Sequence, residues 1–201
     1  MIAVIDYGMG NLQSVVKGLE KAGADVCTVS SPSGLENADS IVLPGVGAFE
    51  AGMANLKKRD LLSPITSITG NGIPLLGICL GMQLLFSESE EHGTHTGLGI
   101  IPGTVRRFRD SDLKIPHMGW NSVDFVRSSP LSGSAGDSAY FYFVHSYYCR
   151  PENEEYMLGR TEYGIPFCSA VHKDTVYGTQ FHPEKSQTAG LDLLRNFVAL
   201  S

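Results

Sequence analysis

A chain of 201 residues can enclose one substantial core, and 42% hydrophobic with 18% charged residues is a globular composition. No apolar run approaches the roughly 20 residues of a membrane span, and the start MIAVIDYGMG lacks a basic n-region and a small-residue cleavage site, so a cytoplasmic protein without membrane association is expected. Fifteen Lys and Arg against 21 Asp and Glu leave a net charge of −6 with no basic stripe, which argues against nucleic acid as a partner.

Along the chain, β-rich apolar runs alternate with helical patterns. IAVIDY predicts a strand, and NLQSVVKGLEKAG a helix closed by Gly23 with Leu12, Val15, Val16 and Leu19 on one face. DVCTVS and SIVLPG predict two more strands around a loop carrying Pro32 and Gly34, followed by a helix from Phe49 to Arg59. PLLGI then reads as a strand and LGMQLLFSES as a helix. This order implies an α/β fold with a largely parallel central sheet flanked by helices. After Gly97 the texture changes to strands and turns: TVRRF, NSVDFV, AYFYFVHSYY, YMLGRTEY and a hairpin FCSAVHKDTVYGTQF turning at Lys173 and Asp174. An additional antiparallel portion is therefore expected in the C-terminal half, with a closing helix from Leu191 to Leu200. No repeat, low-complexity tract or linker divides the chain, so residues 1–201 are expected to form a single domain.

Cys27, Cys79, Cys149 and Cys168 lie far apart, with no C-x-x-C pair and no His at zinc-ligand spacing. Free thiols and no metal site follow. Three of these cysteines are accounted for by packing, but Cys79 sits in GICLG, where a strand gives way to a helix and Gly77 and Gly81 stand two residues to either side. That is the spacing of a nucleophile elbow, a turn so tight that a side chain at either glycine would collide with the neighbouring strand or helix. The helix N-terminus and its free N–H groups favour a thiolate there.

A thiolate nucleophile needs a base, and the base an orienting carboxylate. His92 and His95 lie in the polar loop EEHGTHTG and His172 in the predicted hairpin turn, whereas His117 in PHMGWN and His145 in FVHSYY suit either a core or a site. His182 differs, because GTQFHPEKS places Glu184 two residues on, and residues i and i+2 of an extended chain share a face about 6 to 7 Å apart. Pro183 stiffens the pair.

PLLGICLGMQLLF together with GTQFHPEKS resembles the class I glutamine amidotransferases over essentially the whole chain, which implies a flavodoxin-like variant of the α/β fold and a Cys-His-Glu triad. Within that class, PGVGAF, PHMGWN, YFVHSYY and HPEKS resemble the glutaminase subunits of imidazole glycerol phosphate synthases. The resemblance implies Cys79 as nucleophile, His182 as general acid and base, and Glu184 as its orienter, acting on L-glutamine without a cofactor. It implies an oxyanion hole formed by the N–H of Leu80 and one from the loop of Gly45 and Val46, and glutamine recognition by Gly47, Gln83, Glu91, Ser146 and Tyr147. Gln83 lies one helical turn beyond Cys79, on the same face; Glu90, adjacent to Glu91, is the alternative acid.

Many class I members carry Pro-Gly-Gly where this chain has Pro44, Gly45 and Val46. A β-branched residue resists φ > 0, so an oxyanion hole left incomplete until a partner binds is expected. The implied partner is a (β/α)8-barrel cyclase that receives ammonia in a heterodimer, with Asn11, Pro116, Met118, Trp120 and Lys185 at the joint. Two other classes fit the bare residues: a stand-alone cysteine hydrolase or different amidotransferase subunit, and a flavodoxin-like binding module in which Cys79 is structural.

Overall fold

The computed structural model describes residues 1–108, 113–133 and 136–201. Its first half is built as the alternation predicts. Strands β1 (Ile2–Ile5), β2 (Val26–Val29), β3 (Ser40–Leu43) and β4 (Leu75–Ile78) pair in parallel in the order β2-β1-β3-β4. Helices α1 (Leu12–Lys21) and α2 (Phe49–Lys58) cover opposite faces, with Val15 and Leu19 in one core and Phe49 and Leu56 in the other. β1, β3 and β4 are buried at every position, as a sheet covered on both faces requires.

Between α2 and β4, where the sequence predicts no element, lies a further helix, α3 (Leu62–Gly70). Pro64 and the threonines of SPITSITG are poor helix formers, yet Pro64 falls in the first turn, where its missing N–H costs nothing. Thr66 and Thr69 turn their hydroxyls back onto the Leu62 and Ile65 carbonyls, while Ile65 is buried in the core. A second departure is the elbow helix α4 (Leu80–Leu84), which is shorter than predicted. The continuation becomes strand β5 (Phe86–Ser89) because Phe86 onward pairs in parallel with β7 (Ile101–Arg107), and the two-residue β6 (His95–Thr96) lines the outer edge.

In the C-terminal half, β8 (His117–Phe125) and β9 (Ser138–His145) form a long antiparallel pair, and β10 (Tyr147–Pro151), β11 (Met157–Tyr163) and β12 (Ile165–Lys173) extend the antiparallel portion. The run AYFYFVHSYY, predicted as one strand, is broken at Ser146. Before it, Val144 and His145 face Met118 and His117 of β8; after it, Tyr147 faces Arg107 of β7. One apolar run thus serves two pairings and makes a corner.

β12 and β13 (Val176–Thr179) form the expected hairpin, but Lys173 still pairs with Val176, so its tip is Asp174 and Thr175, one residue later than expected. β13 then inserts in parallel beside β4, with Gly178 opposite Gly77 and Thr179 opposite Ile78. That register brings the end of the chain to the elbow. Helix α5 (Gln187–Val198), longer at its start than expected, packs Leu193, Leu194 and Phe197 into the α1 core. The described strands form one continuous sheet, and no described helix is long and apolar enough to cross a membrane.

Candidate active site

Cys79 occupies the junction of β4 and α4 with φ 55° and ψ −111°, a conformation that a residue bearing a Cβ adopts only under constraint. Its N–H donates to the Thr179 carbonyl at 2.7 Å and its carbonyl accepts the Gln83 N–H at 3.2 Å, so β13 and α4 together hold the strain. A Cβ on Gly81 would overlap the Leu43 carbonyl, and one on Gly77 would come within 2.8 Å of the Met82 nitrogen. The glycine spacing is therefore a packing requirement.

His182, three residues past the end of β13, donates through Nδ1 to Glu184 Oε1 at 2.8 Å, with both side chains buried. The carboxylate can only accept from the imidazole, which places the proton on Nδ1. The His182 carbonyl accepts the Ser186 hydroxyl at 2.6 Å, and its N–H donates to Tyr142 O at 2.9 Å, so the backbone bearing the imidazole is clamped on two sides. Burial on its own lowers the pKa of His182, but interaction with the Cys79 sulfur and with Glu184 reverses this and lifts it to about 9. Nε2 has no hydrogen-bond partner among the described residues.

Cys79 opens into a cavity of about 480 Å³ whose lining includes Val46, Gly47, Leu80, Gln83, Glu91, Ser146 and Tyr147. Every candidate recognition residue thus meets the thiol in one pocket. Glu91 Oε2 accepts the N–H of Phe49 at 2.7 Å, whereas Glu90 accepts that of Arg107 at 2.7 Å and lines the neighbouring depression. Of the two acids, Glu91 faces the thiol's cavity. The Ser146 carbonyl accepts the Phe108 N–H, and the Tyr147 carbonyl is bonded to Gln83 Nε2 at 3.2 Å and to His145 Nδ1 at 2.7 Å.

The last contact fixes a chain of tautomers. A carbonyl only accepts, so His145 Nδ1 carries hydrogen and its Nε2 accepts from His117 Nδ1 at 2.9 Å; His117 Nε2 then accepts from Asn121 Nδ2 at 3.2 Å. Both rings are neutral, with burial lowering the pKa of His117 to about 4 and that of His145 to about 3. The sequence left these histidines between core and site, and they are both: buried, with His145 lining the cavity.

At the oxyanion loop, the Leu80 N–H donates to the Gly45 carbonyl at 3.2 Å. The Gly45–Val46 peptide turns its oxygen, not its N–H, towards the helix terminus. Val46 stays out of the φ > 0 region, and Gly47 takes φ 107°. A Cβ on Gly45 would overlap Tyr7 Oη, a fully buried hydroxyl without a hydrogen-bond partner among the described residues. Tyr7 and Gln180, which donates towards Cys79, were not singled out from the sequence. Gln180 could have been, since Gln180, His182 and Glu184 alternate along GTQFHPEKS.

Pro116 lines the cavity, and Met118 and Trp120 are exposed, Trp120 by 47%, so neither is a core residue. Asn11 caps α1 by accepting the Ser14 N–H, and Lys185 is exposed next to Glu184. Among the described residues no group of three or more His, Cys, Asp or Glu is arranged to hold a metal ion.

Known proteins are similar to this chain in sequence and in fold. The family description "Glutamine amidotransferase class-I" matches residues 3–200. Proteins named imidazole glycerol phosphate synthase subunit HisH are similar along their length: 48% identity in Salinibacter ruber over 100% of this chain and 94% of that one, and 50% in Methanothermobacter thermautotrophicus over 100% and 98%. Among solved structures, one described as a glutamine amidotransferase superposes with a TM-score of 0.78 at 19% identity, covering 100% of this chain and 98% of that one. PurLQS from Thermotoga maritima does so with 0.78 at 15% identity, covering 98% and 97%. With an elbow cysteine, a buried His-Glu pair and a match from end to end, the chain belongs to the class I glutamine amidotransferase family.

Proposed function

We propose that the chain is the glutaminase subunit of a cytoplasmic imidazole glycerol phosphate synthase, acting as a single domain over residues 1–201. The observation that carries this reading is that Cys79 and Gln83 line one cavity while the buried His182–Glu184 pair interacts with the Cys79 sulfur, in a chain half identical to subunits of that name.

In this reading the Cys79 thiolate attacks the carboxamide carbon of L-glutamine, forming a C–S bond and a tetrahedral oxyanion. His182, whose Nε2 is the unbonded nitrogen, delivers a proton to the departing amine, and collapse expels ammonia and leaves a γ-glutamyl thioester. Water then gives its proton back to Nε2 and its oxygen to the thioester, releasing glutamate and the thiolate. Glu184 keeps the Nδ1 proton in place and holds the ring. Gly47, Gln83, Glu91 and the Ser146–Tyr147 corner hold the substrate.

The oxyanion needs N–H donors, and Leu80's is committed to Gly45 O at rest. We read this as a resting state, with the peptide turned over when the barrel partner and its nucleotide bind, freeing Leu80 and presenting the Val46 N–H. Losing one such donor typically costs about a hundred- to a thousandfold in kcat, enough to keep glutamine intact when no acceptor waits. Exposed Met118 and Trp120, with Pro116, Asn11 and Lys185, would meet the barrel and seal the ammonia path.

The experiment is reconstitution of Cys79→Ala with a candidate barrel cyclase. Glutamine-dependent synthesis should vanish, while synthesis from ammonium salts and binding to the barrel persist. Glutamine-dependent turnover near wild type in that variant would refute the nucleophile.

A further inference from the structure

Gln180 follows directly on β13 and is fully buried. Its N–H donates to Ser169 O at 2.9 Å, which fixes the backbone, and its side chain reaches in two directions. Oε1 accepts from Gln83 Nε2 at 3.0 Å, and Nε2 donates to Cys79 Sγ at 3.8 Å.

Which end of the Gln180 amide faces the sulfur follows from the bonding chain. Tyr147 O is a backbone carbonyl and can only accept, so Gln83 presents its amine there. The same amine faces Gln180, which must answer with its oxygen. Its NH₂ is thereby turned towards Cys79. The Tyr147 carbonyl is held in turn by His145, whose tautomer is set by the same logic. The polarity of a backbone carbonyl is thus relayed through two amides to the sulfur, which always meets a donor.

A buried donor aimed at a sulfur favours the charged thiolate over the thiol, since hydrogen bonds to ionised acceptors are about twice as strong as neutral ones. We propose that Gln180 is a positioning residue for the nucleophile: it holds the Cys79 thiolate through Nε2 and ties its placement, through Oε1, to Gln83 in the glutamine pocket. The inference rests on the reading of Cys79 as nucleophile.

The test is the pH dependence of Cys79 alkylation by iodoacetamide in the full-length chain, with the site identified by peptide mass because Cys27 is also accessible. Gln180→Met keeps the volume and removes donor and acceptor; Gln180→Asn keeps the amide but withdraws it by one methylene. In either variant, provided its melting cooperativity is retained, the alkylation midpoint should move upward by about one pH unit. Gln83→Met, which cuts the chain beyond Gln180, should raise KM for glutamine and move the midpoint less. A wild-type alkylation curve in a folded Gln180 variant, or an equal shift in Gln83→Met, would overturn the proposal. Failure of the underlying function is seen separately: a Cys79→Ala protein that still hydrolyses glutamine removes the nucleophile, whatever the alkylation curves show.

Discussion

In the function proposed above, Val46 is where one side chain separates two states of the site. The Gly45 carbonyl sits on the Leu80 N–H, and in that reading opening the hole means rotating the intervening peptide until Val46 approaches φ > 0. A β-branched residue opposes that by roughly 1 to 3 kcal/mol. Val46→Gly should therefore raise glutaminase activity in the absence of partner and nucleotide by about five- to 150-fold, and change fully stimulated activity far less. Basal and stimulated kcat are the measurements, and an unaltered stimulation factor would locate the latch elsewhere. The departure from Pro-Gly-Gly is legible in the sequence because β-branching is a local property. The carbonyl that fills the hole is not, nor is the approach of Tyr7 to Gly45, because these depend on contacts between segments far apart in the chain. The same division runs through the site. Cys79, His182 and Glu184 announce themselves within short motifs, whereas the His117–His145 pair and the bridge from Gln180 to Gln83 exist only once strands are paired.

The elbow is the element on which the rest depends. β4 and α4 are joined without a loop, and the close approach of α4 to β3 is possible only because position 81 has no side chain. Gly81→Ala would drive a Cβ into the Leu43 carbonyl, in a sheet buried on both faces where the backbone has no room to yield. The cost should reach at least about 3 kcal/mol, seen as a lower denaturant midpoint, with glutaminase activity lost in whatever fraction folds. Wild-type stability in that variant would show that the elbow can shift as a unit. Elements with one strong local signal were the readable ones: β1 to β4, α1, α2 and the β12–β13 hairpin. α3 was hidden by Pro64 and its threonines, whose effects depend on their place in the first turn and on back-bonding to carbonyls. α4 ended early because LLF suits helix and strand equally, and the pairing with β7 decided between them.

At the scale of the whole molecule, the buried histidines make stability depend on pH from both sides. His145 and His117 are neutral when folded, with pKa values lowered by burial to about 3 and about 4, whereas the unfolded chain protonates them near 6.5. Below 6.5 the unfolded state binds more protons, so stability falls with falling pH; His145 alone contributes a slope of about 1.4 kcal/mol per pH unit until its folded pKa is approached. His182 runs the other way. Burial lowers its pKa, but the Cys79 sulfur and Glu184 raise it to about 9, so its stabilisation is complete below 6.5 and drains away as pH rises through 9. The two trends meet, and the unfolding free energy from denaturant titrations should be greatest near pH 6.5. His145→Gln should flatten the acid limb, and Glu184→Gln, by removing one of the partners that hold the imidazolium, should flatten the alkaline one. An acid limb of wild-type steepness in His145→Gln would mean that the histidine chain is protonated or rearranged in the folded protein. In that case the tautomers could not run from Asn121 to Tyr147 as the hydrogen bonds require, because a doubly protonated His145 has no nitrogen left to accept from His117.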